Sequence, residues 1–214
     1  MLSHQELTLY VIIAALVIGL AGYGWWVYTQ RQTLKASVAF DDAMKTFEAP
    51  VGATATPPTP NQPSYADNNA KYTAAGQKFG DVAAKYPHTR PGQLANYYAA
   101  LSLEKLDQNN QAKSKLQVVA GGNGEFAATA RFELAQLDDR MGQGDEAVKI
   151  YQQLMDKPTV LVPKPVVMLA LAEHYRQKDP AQAARIYGQI KSEYPDTKIA
   201  DQASQELALL PGKS

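Results

Sequence analysis

The sequence predicts an all-α chain in which one long apolar helix leads into an array of helical hairpins. Three observations predict it. Residues 7–28 read LTLYVIIAALVIGLAGYGWWVY, 22 positions without a charge. From Asn68 onward, helical apolar patterns follow one another with short Gly, Asn, Asp or Pro breaks and no convincing strand alternation. A twelve-residue stretch also repeats without a gap, with residues 79–90 (FGDVAAKYPHTR) matching residues 187–198 (YGQIKSEYPDTK) 108 positions later. That separation is close to three periods of about 34 residues, the spacing of stacked helical hairpins. Each such unit buries its apolar face only against its neighbours.

After a short tail over residues 1–6, residues 7–30 are expected to form a single transmembrane helix whose apolar run has Leu7 and Tyr28 as its ends. At about 1.5 Å rise per residue the run measures about 33 Å, enough for a hydrocarbon core of about 30 Å. Tyr23, Trp25, Trp26 and Tyr28 cluster at one end and Tyr10 lies near the other, as interfacial aromatic belts do. The run is too long for a signal peptide, and the six residues before it carry no Lys or Arg. Arg31 and Lys35 follow it, so the positive-inside bias alone would keep the remainder in the cytoplasm.

Residues 31–48 continue as a helical extension, with Ala36, Ala39, Phe40, Ala43, Met44 and Phe47 at helical spacing. Residues 49–66 form a Pro-rich loop with five prolines between Ala49 and Tyr65, incompatible with helix or strand and read as an extended spacer. Residues 67–210 form the repeat domain, and 211–214 a tail. Lys plus Arg equals Asp plus Glu at 21 each, so no broad basic field exists for nucleic acid. The absence of Cys excludes disulfides, thiolate metal sites and a Cys nucleophile.

The repeat units resemble the tetratricopeptide family. The clearest has Leu134, Ala135, Gly142, Ala147, Tyr151 and Pro158 in the family's spacing. By that resemblance Ala135 and Ala147 let paired helices approach, Gly142 serves the turn and Tyr151 plugs the gap. Asp138 stands where an aromatic is usual. A second unit has Ala99, Ala100, Leu103, Asp107, Ala112 and Leu116, and a third Leu171, Ala172, Tyr175, Asp179, Ala183, Tyr187 and Pro195. Ala75, Phe79, Val82 and Pro87 resemble the second helix of a first unit whose first helix is the extension from Ala36 to Phe47. Ala200, Ala203, Leu207 and Leu210 mark a closing helix. The start, with Gly24-Trp25-Trp26 followed by Ala36, Ala39, Phe40 and Ala43, is similar to bacterial inner-membrane tetratricopeptide proteins, the ancillary Sec translocon subunit and its relatives. That likeness implies a single-pass inner-membrane protein with a periplasmic repeat domain that meets the translocon or chaperones.

No catalytic constellation is visible, and the chain is expected not to be an enzyme and to take no cofactor, metal or small-molecule substrate. His88 reads as a solvated turn residue, and His174, beside Glu173, lacks a second ligand at zinc spacing. Asp138, Asp139, Asp145 and Glu146 read as solvated or capping residues around a turn, without EF-hand spacing. The resemblance instead implies a protein-binding groove lined by the first helix of each hairpin. Carried over by position, it comprises Leu94, Tyr97, Leu101, Glu104 and Lys105, then Phe132, Gln136, Asp139 and Arg140, then Glu173, Arg176 and Gln177. The alternative for Tyr97 and Phe132 is packing against the adjoining hairpin. The expected function is a membrane-tethered adaptor that binds protein segments, linked to export or envelope assembly. The alternative is a structural subunit of a larger membrane complex whose main contact is the transmembrane helix.

Overall fold

A computed structural model describes the backbone of residues 4–52, 63–124 and 126–210, and the side chains of these from Ala15 onward. Among the described residues the helices are α1 (His4–Phe47), α2 (Asn68–Lys85), α3 (Arg90–Glu104), α4 (Asn109–Gly121), α5 (Ala127–Arg140), α6 (Gly144–Asp156), α7 (Lys164–Lys178), α8 (Pro180–Glu193) and α9 (Lys198–Ala208). Each packs on the next in sequence, giving a solenoid of antiparallel hairpins. Across hairpins, α1 also touches α3, and α7 touches both α5 and α9, whereas the second helices make no comparable contact with one another. The first helices are therefore the more crowded layer, which places them on the inside of the curve.

The helix boundaries follow from local chemistry. Thr89 and Thr197 cap α3 and α9 in the same way, as the internal repeat requires. Thr89 Oγ1 donates to the Tyr86 carbonyl at 2.9 Å and accepts from Gly92 N at 3.1 Å. Thr197 Oγ1 donates to the Tyr194 carbonyl at 2.7 Å and accepts from Ala200 N at 3.2 Å. Asp67 and Asp179 cap α2 and α8 through Ala70 N and Gln182 N. In the α5–α6 turn Gly142 takes φ +78°, and in the matching α3–α4 turn Asp107 takes φ 57°. The two turns share their hydrogen bonds: Gly142 N to Asp139 O and Asp107 N to Glu104 O both measure 3.0 Å.

Packing depends on small residues. Ala135, Ala147, Ala172 and Ala183 are all 0% exposed, and Tyr151 and Tyr187 are sealed beside them in one cluster spanning α5 to α9. A second cluster joins the C-terminal part of α1 to α2 and α3, where Phe40, Phe47, Phe79 and Tyr98 stack ring against ring. A third, built on Ala100, Ala112, Leu116 and Leu137, joins α3, α4 and α5. An isolated parallel bridge between Val51 and Tyr65 draws together the ends of the Pro-rich insert. The spacer expected there lies, for residues 53–62, outside the described residues.

One expectation needs correction. Asp138 is not solvated: its side chain is 3% exposed and sits 2.6 Å from Lys113 Nζ of α4. The position that usually holds an aromatic thus holds one half of a buried ion pair. Among the described residues, moreover, no helix is long and apolar enough to cross a membrane. The span expected over residues 7–28 falls only partly within them, because its side chains up to residue 14 lie outside.

Asp107→Gly is expected to stabilise the fold by about 0.5 kcal/mol, because a left-handed φ is strained for a residue with a Cβ. Gly142→Ala should cost about 1 kcal/mol by the same rule; paired thermal and urea melts check both signs. Lys113→Met alone leaves Asp138 buried and unpaired and should cost about 2–3 kcal/mol, at the low end because Lys113 keeps some access to water. Adding Asp138→Leu should recover most of that loss in the same melts.

Candidate binding groove

The inner layer opens into a cavity of about 450 Å³ between α5, α7 and α9. Phe132, Gln136, Asp139 and Arg140 line it from α5. Val166, Leu169, Ala170 and Glu173 line it from α7, Gln202 and Glu206 from α9, and Tyr151 of α6 joins the floor. Five of the expected residues meet here: Phe132, Gln136, Asp139, Arg140 and Glu173. Phe132 is half-buried, its ring centroid 6.1 Å from that of Tyr151, so it serves both cavity and core.

Glu104 joins the wall through Arg140, whose guanidinium reaches the carboxylates of both Glu104 and Glu133. Tyr97 is half-buried against the α3–α5 cluster, close to Glu133 and Glu104. Arg176 reaches the cavity through its partners, with Nη1 3.1 Å from Glu173 and 3.0 Å from Glu206. Leu94, Leu101, Lys105 and Gln177 are not among its lining residues, and Lys105 and Gln177 are exposed to solvent.

The polar groups hold one another in place. His174 Nδ1 donates to Asp139 Oδ1 at 2.6 Å, with Lys178 Nζ 3.6 Å from the same oxygen. His174 is therefore a buried positioning group for a groove carboxylate. Gly144 admits it, since a Cβ there would lie 2.5 Å from His174 Cε1. The Tyr187 hydroxyl donates to Glu173 Oε2 at 3.1 Å. Burial, reinforced by Glu133 and opposed by Arg140 and Lys105, raises the Glu104 carboxyl to about 7. Burial first, then nearby carboxylates, likewise pushes up the hydroxyls of Tyr97, Tyr151 and Tyr187.

Sequence reasoning missed Glu133, Val166, Leu169, Gln202 and Glu206. Only the first hairpin helices were carried over as groove, which leaves out the closing helix α9. Leu169 and Val166 lie about one and two turns before Glu173 on α7, an offset that only the hairpin crossing decides. No group of three or more His, Asp or Glu able to hold a metal occurs among the described residues.

The Glu104 shift has a stability consequence. An acid whose folded pKa lies above its unfolded value binds more protons in the folded state across that window. Stability from this group is present below the ordinary glutamate range and falls as pH rises towards about 7. Glu104→Gln should remove that dependence. Denaturation midpoints from pH 4.5 to 8 should show the variant gaining on the wild type as pH rises.

Comparison with known proteins fits this architecture. Residues 3–159 match the tetratricopeptide repeat-like domain family, and residues 167–197 match a tetratricopeptide repeat. Among solved structures the chain is similar to a Podosopora anserina putative kinesin light chain with nearly identical TPR-like repeats. That pair has 16% identity and a TM-score of 0.54, over 66% of this chain and 78% of that one. A single-substitution variant of the same repeats aligns at 16% identity and TM-score 0.55 over the same shares. At this identity the likeness shows the fold alone. No curated protein matches the chain. With the family match extending across most of its length, the chain belongs to the tetratricopeptide repeat-like domain family.

Proposed function

We propose that this chain is a membrane-tethered adaptor that holds protein segments in the cavity between α5, α7 and α9. The observation that carries the reading is the cavity itself. It is open, floored by Phe132, Val166 and Leu169, rimmed by charge and set on the inner layer of a hairpin array. A floor of apolar side chains with polar groups around it can bury a segment's side chains while satisfying its backbone. Aromatic and Arg residues such as Phe132 and Arg140 are the types that dominate interface energies.

The tether is read from residues 7–28, which carry no charge and belong to the unbroken helix α1. In the described part of that helix Leu16, Val17, Ile18, Leu20, Tyr23, Trp25, Trp26 and Tyr28 are 56–72% exposed and need a cover. A bilayer with its aromatic-rich interface is one such cover. Similarity of the start to the ancillary Sec translocon subunit supports a periplasmic domain near the export or envelope-assembly machinery. The same exposed surface supports the second reading, a structural subunit whose main contact is this helix.

Two experiments separate these readings. Protease added to intact spheroplasts should digest the repeat domain; protection until lysis would place it in the cytoplasm. Crosslinked partners should fall at least several-fold with Phe132→Ala and Arg140→Ala and remain with the exposed control Lys149→Ala. Partners that survive the groove variants but vanish when residues 7–28 are replaced by an unrelated apolar helix would favour the structural subunit.

A further inference from the structure

We infer that the segment bound in this groove carries basic side chains flanked by apolar ones, the basic groups seating against under-neutralised carboxylates on the groove wall. The inference rests on the groove reading above and assigns the chemistry of its occupant.

The charge pattern argues for a cation. Two guanidiniums each serve two carboxylates: Arg140 joins Glu104 to Glu133, and Arg176 joins Glu173 to Glu206. Each bracket therefore keeps one surplus negative charge when its acids are ionised. The charged groups lining the cavity are three carboxylates, Asp139, Glu173 and Glu206, and one guanidinium, Arg140; with Glu104 and Glu133 behind Arg140 and with Arg176 and Lys178 added, five carboxylates face three cations. Glu104 is the group under most pressure. Its side chain is 11% exposed and its Oε1 is buried without a hydrogen-bond partner.

An ammonium or guanidinium entering the cavity offers Asp139, Glu173 and Glu206 a donor and a positive charge, while Glu104, held behind the wall by Arg140, feels that charge without touching it. An acidic segment would meet like charge in a partly desolvated site, and a purely apolar one would leave the brackets as they stand. The floor sets the second requirement. Phe132, Val166 and Leu169 offer apolar contact beside the brackets, so a basic residue with apolar neighbours fills both at once.

Proton competition follows. The groups facing Glu104 are Glu133 and Arg140 from α5, Tyr97 from its own helix and Lys105 just past that helix's end. A bound cation favours the ionised carboxyl, so binding of a basic segment should strengthen as pH rises through about 7 and release a proton below that value.

The test uses the full chain in neutral-lipid nanodiscs and three fluorescent peptides. All three have leucines around a central pair, which is lysine, its uncharged isostere norleucine, or glutamate. Anisotropy titrations should show the lysine peptide binding at least tenfold tighter than the norleucine peptide at pH 8, with the margin shrinking at pH 6. Glu133→Gln should erase most of that margin. Glu104→Gln should remove the pH dependence. If norleucine or glutamate peptides bind as well as lysine, or if the margin survives both substitutions, the basic-segment inference is overturned. The groove reading then still stands, provided Phe132→Ala weakens all three. If Phe132→Ala weakens none of them, the groove reading falls as well.

Discussion

Between the paired helices of each hairpin there is room for little more than a methyl group. Ala135 and Ala147 in one hairpin, and Ala172 and Ala183 in the next, have no accessible surface, and Tyr151 and Tyr187 are sealed beside them. Interiors packed this tightly do not absorb an added methylene without displacing neighbours. The closeness of approach fixes the hairpin geometry, and the hairpin geometry fixes where the next unit must sit. No unit has a core of its own. The three clusters each draw residues from three or more helices, so each hairpin is completed by its neighbour.

The small residues occupy the faces where helices meet, and that arrangement sends the long polar side chains of α5, α7 and α9 to the inner surface. There they pair across hairpins as well as within them. Arg140 of α5 reaches Glu104 of α3, Arg176 of α7 reaches Glu206 of α9, and His174 of α7 reaches Asp139 of α5. Partly exposed pairs of this kind add little to stability. Their effect is positional: they hold carboxylates in a fixed row over an apolar floor. The buried Lys113–Asp138 pair between α4 and α5 is of a different sort, since neither partner can be lost without leaving the other uncompensated.

The array was legible in the sequence because its constraints are local. The repeated Tyr-Pro-x-Thr turn specifies a cap through one hydroxyl, and Thr89 and Thr197 make the same two hydrogen bonds. Gly142 announces its turn because only a residue without a Cβ adopts φ +78° at no cost. The resemblance to tetratricopeptide repeats put Phe132, Gln136, Asp139, Arg140 and Glu173 on the inner helices, and all five line the cavity. The resemblance says nothing of the crossing that brings Glu206 and Gln202 of α9 opposite them, or that carries Leu94 and Leu101 away. Asp138 was misread for a related reason: a polar residue near a turn looks solvated until its partner is found 25 positions earlier in another helix.

The first hairpin joins the array to what precedes it. Helix α1 runs unbroken from His4 to Phe47, so the apolar stretch and the wall of the first core share one rod. Ala36 and Ala43 are sealed against α2 and α3, and Phe40 and Phe47 stack on Phe79 and Tyr98. No flexible linker separates the two parts. The Pro-rich insert lies instead in the turn between α1 and α2, its ends drawn together by the Val51–Tyr65 bridge. Loop closure cost grows only slowly with length, so an insert placed there leaves the array undisturbed. With the membrane-anchored reading, this construction sets the groove at a fixed height and angle to the bilayer. A flexible tether raises local concentration but leaves orientation free. A continuous helix raises concentration and fixes orientation too, so on that reading the groove can work with contacts too weak to hold a segment in free solution.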